Sequence, residues 1–239
     1  IMSGLGTLIN VIGIVAGGLA GLLFGNRMKD RVQNTLMTTT GVCVLFLGIS
    51  GAVEKMLSIN NNGELESGGT MMIVICLALG ALIGELINIE AGMEKFGEWL
   101  KYKTKSESDT GFVSAFVNAS LTVCIGAMAV VGAIQDGIYG DYSILSAKAV
   151  LDLIIIMVMT AAQGKGCIFS AIPVGIFQGL MTVFARALEP VLTTQALNNL
   201  SLIGSILIFC VGLNLVWGKK IKVANLLPSL VLAVFWAFI

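Results

Sequence analysis

Lys148 and Asp152 stand four residues apart in an otherwise apolar run, so a helix there carries an ammonium and a carboxylate on one face. Charges inside hydrocarbon are costly, and they mark ion pathways, proton relays or substrate sites. Lys148, one turn in from the end of its run, is within snorkelling reach of the interface. Asp152 is a further turn down, about 12 Å from the start of the run at 1.5 Å per residue, beyond the reach of its short side chain. Two readings stay open. Asp152 titrates or ligates an ion, or the two charges simply neutralise each other at a helix contact. Glu85, in LGALIGELINIE, is a further intramembrane charge nearer the inner face, where a solvated vestibule would also serve it.

A second polar set lies in 112–137. Asn118, Ser120, Thr122 and Cys124 alternate through its first half, Gly126 and Gly132 loosen the second, and Gln135, Asp136 and Gly137 end it. Such groups line a cavity or find partners, although Ser, Thr and Gly also serve close helix packing alone. Gln178 and Asn214 are milder intrusions, and Pro173 removes a backbone donor and should kink its helix. Two irregular helices near the midplane, breaking at Gly126, Gly132 and Pro173, form the kind of place where transporters bind substrate. The candidate binding residues are Asn118, Ser120, Thr122, Lys148, Asp152 and Gln178, with Glu85 on the inner side.

Other chemistries lack their residues. The chain has no His, and no GxSxG, HExxH, P-loop or Rossmann pattern. Cys43, Cys76, Cys124, Cys167 and Cys210 are scattered through apolar segments without CxxC spacing, which reads as small buried hydrophobes. Catalysis by Asp152 with Glu85 would need the two acids to meet, and nothing in the sequence brings them together. The expectation is no enzyme, metal or cofactor, and a net charge of zero gives no footprint for nucleic acid.

The elements that must position these residues are membrane helices. Of 239 residues 56% are hydrophobic and 12% charged, with mean hydropathy +0.95, against about a quarter charged in a soluble domain. Apolar runs of roughly spanning length fall at about 4–25, 33–53, 69–90, 112–134, 144–163, 167–186, 197–217 and 222–239, the last being short. The reading is one all-α transmembrane domain over 1–239 with about eight spans. The first run has no basic flank before it and is too long for a cleavable signal. The longest loop, 91–111, contains a short helix at about 92–103 with Met93, Phe96 and Leu100 on one face. Trp99 and Tyr102 would anchor it in the inner interface.

Loop charge gives the orientation. Arg27, Lys29, Arg31, Lys95, Lys101, Lys103, Lys105, Lys165, Lys219, Lys220 and Lys222 all follow odd-numbered spans or border them, whereas the other side has only Lys55 and Arg186. By the positive-inside rule the odd loops are cytoplasmic and both termini face out.

Gly13, Gly17, Gly21 and Gly25 recur every four residues in span one, a seam for a helix of the same chain or of a second copy; Gly80 and Gly84 form a shorter one. VIGIVAGGL (11–19) resembles PVGIFQGLM (173–181), and FLGIS (46–50) resembles CVGLN (210–214) at nearly the same offset. Spans one to three then correspond to six to eight. A displacement of five spans inverts the copies, as in many secondary transporters.

ASL (119–121), Cys124, GAMA (126–129), GAIQDG (132–137) and GDY (140–142), followed by Lys148 and Asp152, resemble the YdfK/YqgA-type family of bacterial inner-membrane proteins of unknown function. FSAIP (169–173), GLNL (212–215), VANLLP (223–228) and GELINIE (84–90) fit the same pattern, so the resemblance covers nearly the whole chain. Ala127 departs from it, since proline commonly follows the glycine in that family, which implies a gentler break in span four. The resemblance implies a bacterial cytoplasmic membrane and no established activity.

These readings point to a secondary transporter of an ion or small solute, coupled through Asp152, with Lys148 balancing charge or meeting an anionic substrate. The alternative is a membrane scaffold or regulatory subunit that binds other helices through its glycine faces. An ion channel comes third. The partners would be the lipid bilayer, an unidentified small solute or ion, and further copies of the chain.

Overall fold

A computed structural model of the chain describes residues 4–25, 29–59 and 63–239; Arg27, one of the basic loop residues, lies outside the described set. The protein is all-α and polytopic. Among the described residues six helices are long and apolar enough to cross a membrane, and a bent pair makes a seventh. They include α1 (Leu5–Gly25), α2 (Asp30–Met56), α3 (Thr70–Ile87), α7 (Ser143–Gln163) and α10 (Thr194–Trp217). The sixth combines the 3-10 segment Lys165–Ser170 with α8 (Ala171–Val183), and the bent pair is α5 (Phe112–Cys124) with α6 (Ala127–Tyr139). The last apolar segment, Val223–Trp236, is shorter: a 3-10 turn Val223–Leu226 leads into α11 (Pro228–Trp236). Two short elements complete the helices, α4 (Ile89–Lys103) and α9 (Ala185–Leu188).

Glycine spacing sets the helix pairs. A Cβ on Gly13, Gly17, Gly21 or Gly25 would fall 2.9, 2.2, 2.3 or 2.9 Å from the carbonyl oxygens of Ala149, Leu153, Met157 and Ala161. Each step of four on α1 is matched by four on α7, so the two helices run parallel and almost backbone to backbone. The seam is thus covered within the chain. By the same test α2 and α10 run antiparallel, Gly48 against Phe209 and Gly212 against Leu45. So do α3 and the last segment, Gly80 against Ser229 and Gly84 against Asn225.

The bent pair crosses the whole bundle. Gly166, just beyond the end of α7, lies against the Phe112 carbonyl at the start of α5, while Gly132 of α6 lies against Leu145 near the start of α7. A re-entrant loop would return to the end it came from; this segment does not. Because α5–α6 crosses once, α1 and α7 are left parallel, as observed. The described basic loop residues that follow odd-numbered spans therefore share one end of the bundle.

α3 stops at Asn88, whose left-handed backbone (φ 57°) turns the chain into α4, and the Asn88 side chain accepts the Ala91 N–H. α4 begins three residues earlier than its sequence suggests. Leu100 is buried and Gly97 lies against Phe116 and Val113 of α5, while Trp99 and Tyr102 face outward. A hairpin of Leu57–Ile59 with Leu65–Ser67 follows α2, an element the apolar pattern does not announce. The main core joins Ile14, Phe112, Phe116, Ile156, Met159, Val174 and Leu207.

Candidate site at the break in span four

α5 ends at Cys124 and α6 begins at Ala127; between them Gly126 takes φ 150° and ψ 147°, a conformation open to glycine, and the axis turns by 62°. The break is full despite the missing proline, because Gly126 alone supplies it. Gly132 is no break: α6 continues through it, and its bare Cα admits Leu145, whose side chain a Cβ would meet at 2.9 Å. Pro173 kinks no continuous helix either. It stands in the first turn of α8, where no helical N–H bond is due, just after the 3-10 segment.

A helix that stops inside the bundle leaves its last carbonyls without partners. Here the Lys148 ammonium supplies one, donating to the Val123 carbonyl oxygen at 2.8 Å. The same nitrogen pairs with the Asp152 carboxylate one turn along α7. Both residues are buried, Lys148 6% exposed and Asp152 3%, so Lys148 turns inward and does not snorkel.

Two amides complete the cluster. Asn10 of α1 and Gln178 of α8 are wholly buried, and the Asn10 amide donates to Gln178 Oε1 at 3.3 Å. Asn10 also interacts with the Asp152 carboxylate. Asn10 Oδ1 and Gln178 Nε2 have no protein partner. The Ser120 hydroxyl on α5 and that of Ser170 are likewise buried and unpartnered. Unmade hydrogen bonds in a buried site cost about 1–3 kcal/mol each, so such atoms point to bound water or ligand, or to a second arrangement.

The other sequence candidates lie elsewhere. Thr122 donates to the Asn118 carbonyl of its own helix at 2.8 Å, an intrahelical bond. Asn118 bonds Gln163 at 3.3 Å and lines a small, partly open pocket of about 30 Å³ with Glu90, Ser114, Asn214 and Lys219. That is roughly the liquid-volume share of one water. Asn214 mainly closes the turn after α10: it donates to the Ile221 carbonyl at 2.7 Å and accepts from the Lys220 and Ile221 N–H groups.

Glu85 does not join the Lys148–Asp152 cluster. Its carboxylate meets Lys222 at 2.5 Å and the Asn225 amide at 2.6 Å, with its side chain half exposed. Next to it, buried Glu90 accepts the Ala224 N–H at 3.0 Å and pairs with Lys219 at 2.8 Å; Lys219 also reaches Glu94. GELINIE and VANLLP, distant in sequence, thus form one latch at the basic end of the bundle. Burial works to lower the Lys219 pKa, but hydrogen bonds and charge from Glu90 and Glu94 outweigh it and leave the pKa raised.

Among the described residues no group of His, Cys, Asp and Glu could hold a metal. Asn10, Glu90, Gln163 and Asp136 are the functional candidates that pattern reading passed over. Asn10 carried a signal, being a lone amide in an apolar run; the others show their partners only when folded.

Two bacterial proteins are similar along nearly their full length. The uncharacterized membrane protein YdfK of Bacillus subtilis (strain 168) is 30% identical, covering 95% of this chain and 93% of its own. The uncharacterized protein YqgA of Escherichia coli (strain K12) is 27% identical, covering 96% and 94%. No solved structure matches. Residues 5–238 match the family described as "Protein of unknown function (DUF554)", and the chain belongs to that family.

Proposed function

We propose that this membrane protein is a secondary transporter of a small solute or ion, with Asp152 as the coupling group. The observation that carries the reading is the Lys148 ammonium shared between Asp152 and the Val123 carbonyl at a break in a membrane span. Lys148 is a built-in counterion there. A cation or proton that reaches Asp152 releases Lys148, and with it the Val123 carbonyl, so loading of the site is tied to the geometry of the break. The closed packing around the pair fits an occluded state.

Inverted repeats suit this reading. Spans one and six, two and seven, and three and eight run antiparallel in contact, as Asn10 with Gln178, Gly48 with Phe209 and Gly84 with Asn225 illustrate. The paired glycines differ in their surroundings: Gly17 meets Leu153 whereas Gly179 meets nothing within 4 Å. By the positive-inside rule the latch end faces the cytoplasm of a bacterial inner membrane and both termini face out.

The second reading, a scaffold, is favoured by the small size of that pocket and by the outward face of α2. There Arg31, Asn34, Thr35, Thr38 and Thr39 form an exposed polar face on which a second copy would pack. A channel needs a continuous wet path and comes third.

The test is a melting-temperature screen of detergent-purified protein against ions and small metabolites, with Asp152→Asn and Lys148→Met beside wild type. A ligand that raises the wild-type temperature and has no effect on either variant supports transport through this site. No effect of any ligand on the wild-type temperature moves the assignment to the scaffold.

A further inference from the structure

Asp152 has an internal counterion; among the described residues Asp136 has none. Asp136 stands in the last turn of α6 and is wholly buried. Its Oδ2 accepts the Gly4 and Gly6 N–H groups, at 3.1 and 3.0 Å, across the start of α1. Its Oδ1 has no partner, and among the described residues it makes no ion pair. The charged groups on the helices around it do not answer it. α1, α8 and α10 carry none, α7 brings only Lys148 and Asp152, which satisfy each other, and Arg186 of α9 is exposed.

Two helix ends beside it favour a positive ion. α6 ends at Tyr139 and α8 at Val183, and the two ends touch where Gly137 meets the Thr182 carbonyl. Helix C-termini carry partial negative charge. The Thr182 hydroxyl, and that of Thr7 next to Gly6, are buried without partners. One carboxylate with neutral oxygens, and no second acid or His, matches a hard monovalent cation better than a divalent one. We infer that Asp136, with the Thr7 and Thr182 hydroxyls, forms an alkali-cation site, of sodium type, where α1, α6 and α8 meet at the end of the bundle opposite the latch.

Two backbone N–H bonds and the positive end of α1 already stabilise an ionised carboxylate, so a plain helix cap is the competing account. The two differ in what sodium does. Melting temperatures of the purified protein are compared in sodium, potassium and choline chloride at matched ionic strength. The expected result is a higher temperature in sodium or potassium than in choline, lost in Asp136→Asn and kept in Asp152→Asn. That last arm separates this site from the coupling role of Asp152, since either can fail alone. Should Asp136→Asn not fold, Thr182→Val leaves the cap intact and should raise the half-saturating cation concentration roughly tenfold. Equal wild-type temperatures in all three salts overturn the site. So does a cation effect that Asp136→Asn or Thr182→Val leaves unchanged.

Discussion

The Lys148 ammonium lies 2.8 Å from the Val123 carbonyl oxygen, where span four breaks, while also pairing with Asp152. The break and the ion pair are therefore one unit, and neither residue of α7 can change without disturbing α5. Lys148→Met leaves a buried carboxylate and an open carbonyl, a loss of about 3–5 kcal/mol typical of breaking a buried pair. Adding Asp152→Leu to it should recover much of that loss. Thermal melts of the single and double variants check this, and a double variant less stable than Lys148→Met would contradict it.

The α1–α7 seam predicts a contrast between two glycines. A Cβ on Gly17 would come 2.2 Å from the Leu153 carbonyl oxygen, so Gly17→Ala must push the helices apart. The expected cost is about 1–3 kcal/mol, typical of overpacking. Gly179 has nothing within 4 Å of the same atom, and Gly179→Ala should be neutral or slightly stabilising, since alanine favours helix. Equal melting temperatures for the two variants would remove the seam from the account.

Gly126 at φ 150° predicts that Gly126→Ala is strained, by about 1–3 kcal/mol, and weakens any ligand response that needs the break. Ala127→Pro should behave oppositely. Residue 127 opens α6, where proline suits the first helical position, and the ψ of 147° at Gly126 suits a residue before proline. A gain of about 0.4–1 kcal/mol is expected. An Ala127→Pro protein that melts well below wild type would mean the break is shaped differently.

Alkaline pH should loosen the latch through Lys219. Its pKa is raised above the ordinary 10.5, since hydrogen bonds and charge from Glu90 and Glu94 outweigh the desolvation that lowers it. Stability from such a group is complete below its unfolded pKa and is lost as the pH rises through the folded value. Lys219→Met should therefore melt below wild type by a steady margin near neutrality that narrows above about pH 10.5. The margin should be small, below about 1 kcal/mol, because the side chain is half exposed. A margin constant into strong alkali would assign the stabilisation to packing of the stem.

Local pattern decided the broad architecture. Apolar run length is a property of consecutive residues, so the helices, the bend at Gly126 and the glycine seam of α1 were all legible. The charge asymmetry likewise foretold which loops share one end. Sequence alone also singled out Lys148 and Asp152, because four-residue spacing puts them on one face whatever surrounds them. What it left open was the partner of every face. Periodicity says which side of a helix is buried, not against what. Only the assembled bundle set the Gly13–Gly25 seam on α7, made Gly132 a contact and not a break, and sent Glu85 to Lys222 instead of Asp152. It also brought Asn10 to Gln178 across 168 residues and left Asp136 buried at the start of α1. Those pairings depend on how the helices stack, which no short stretch of this chain encodes by itself.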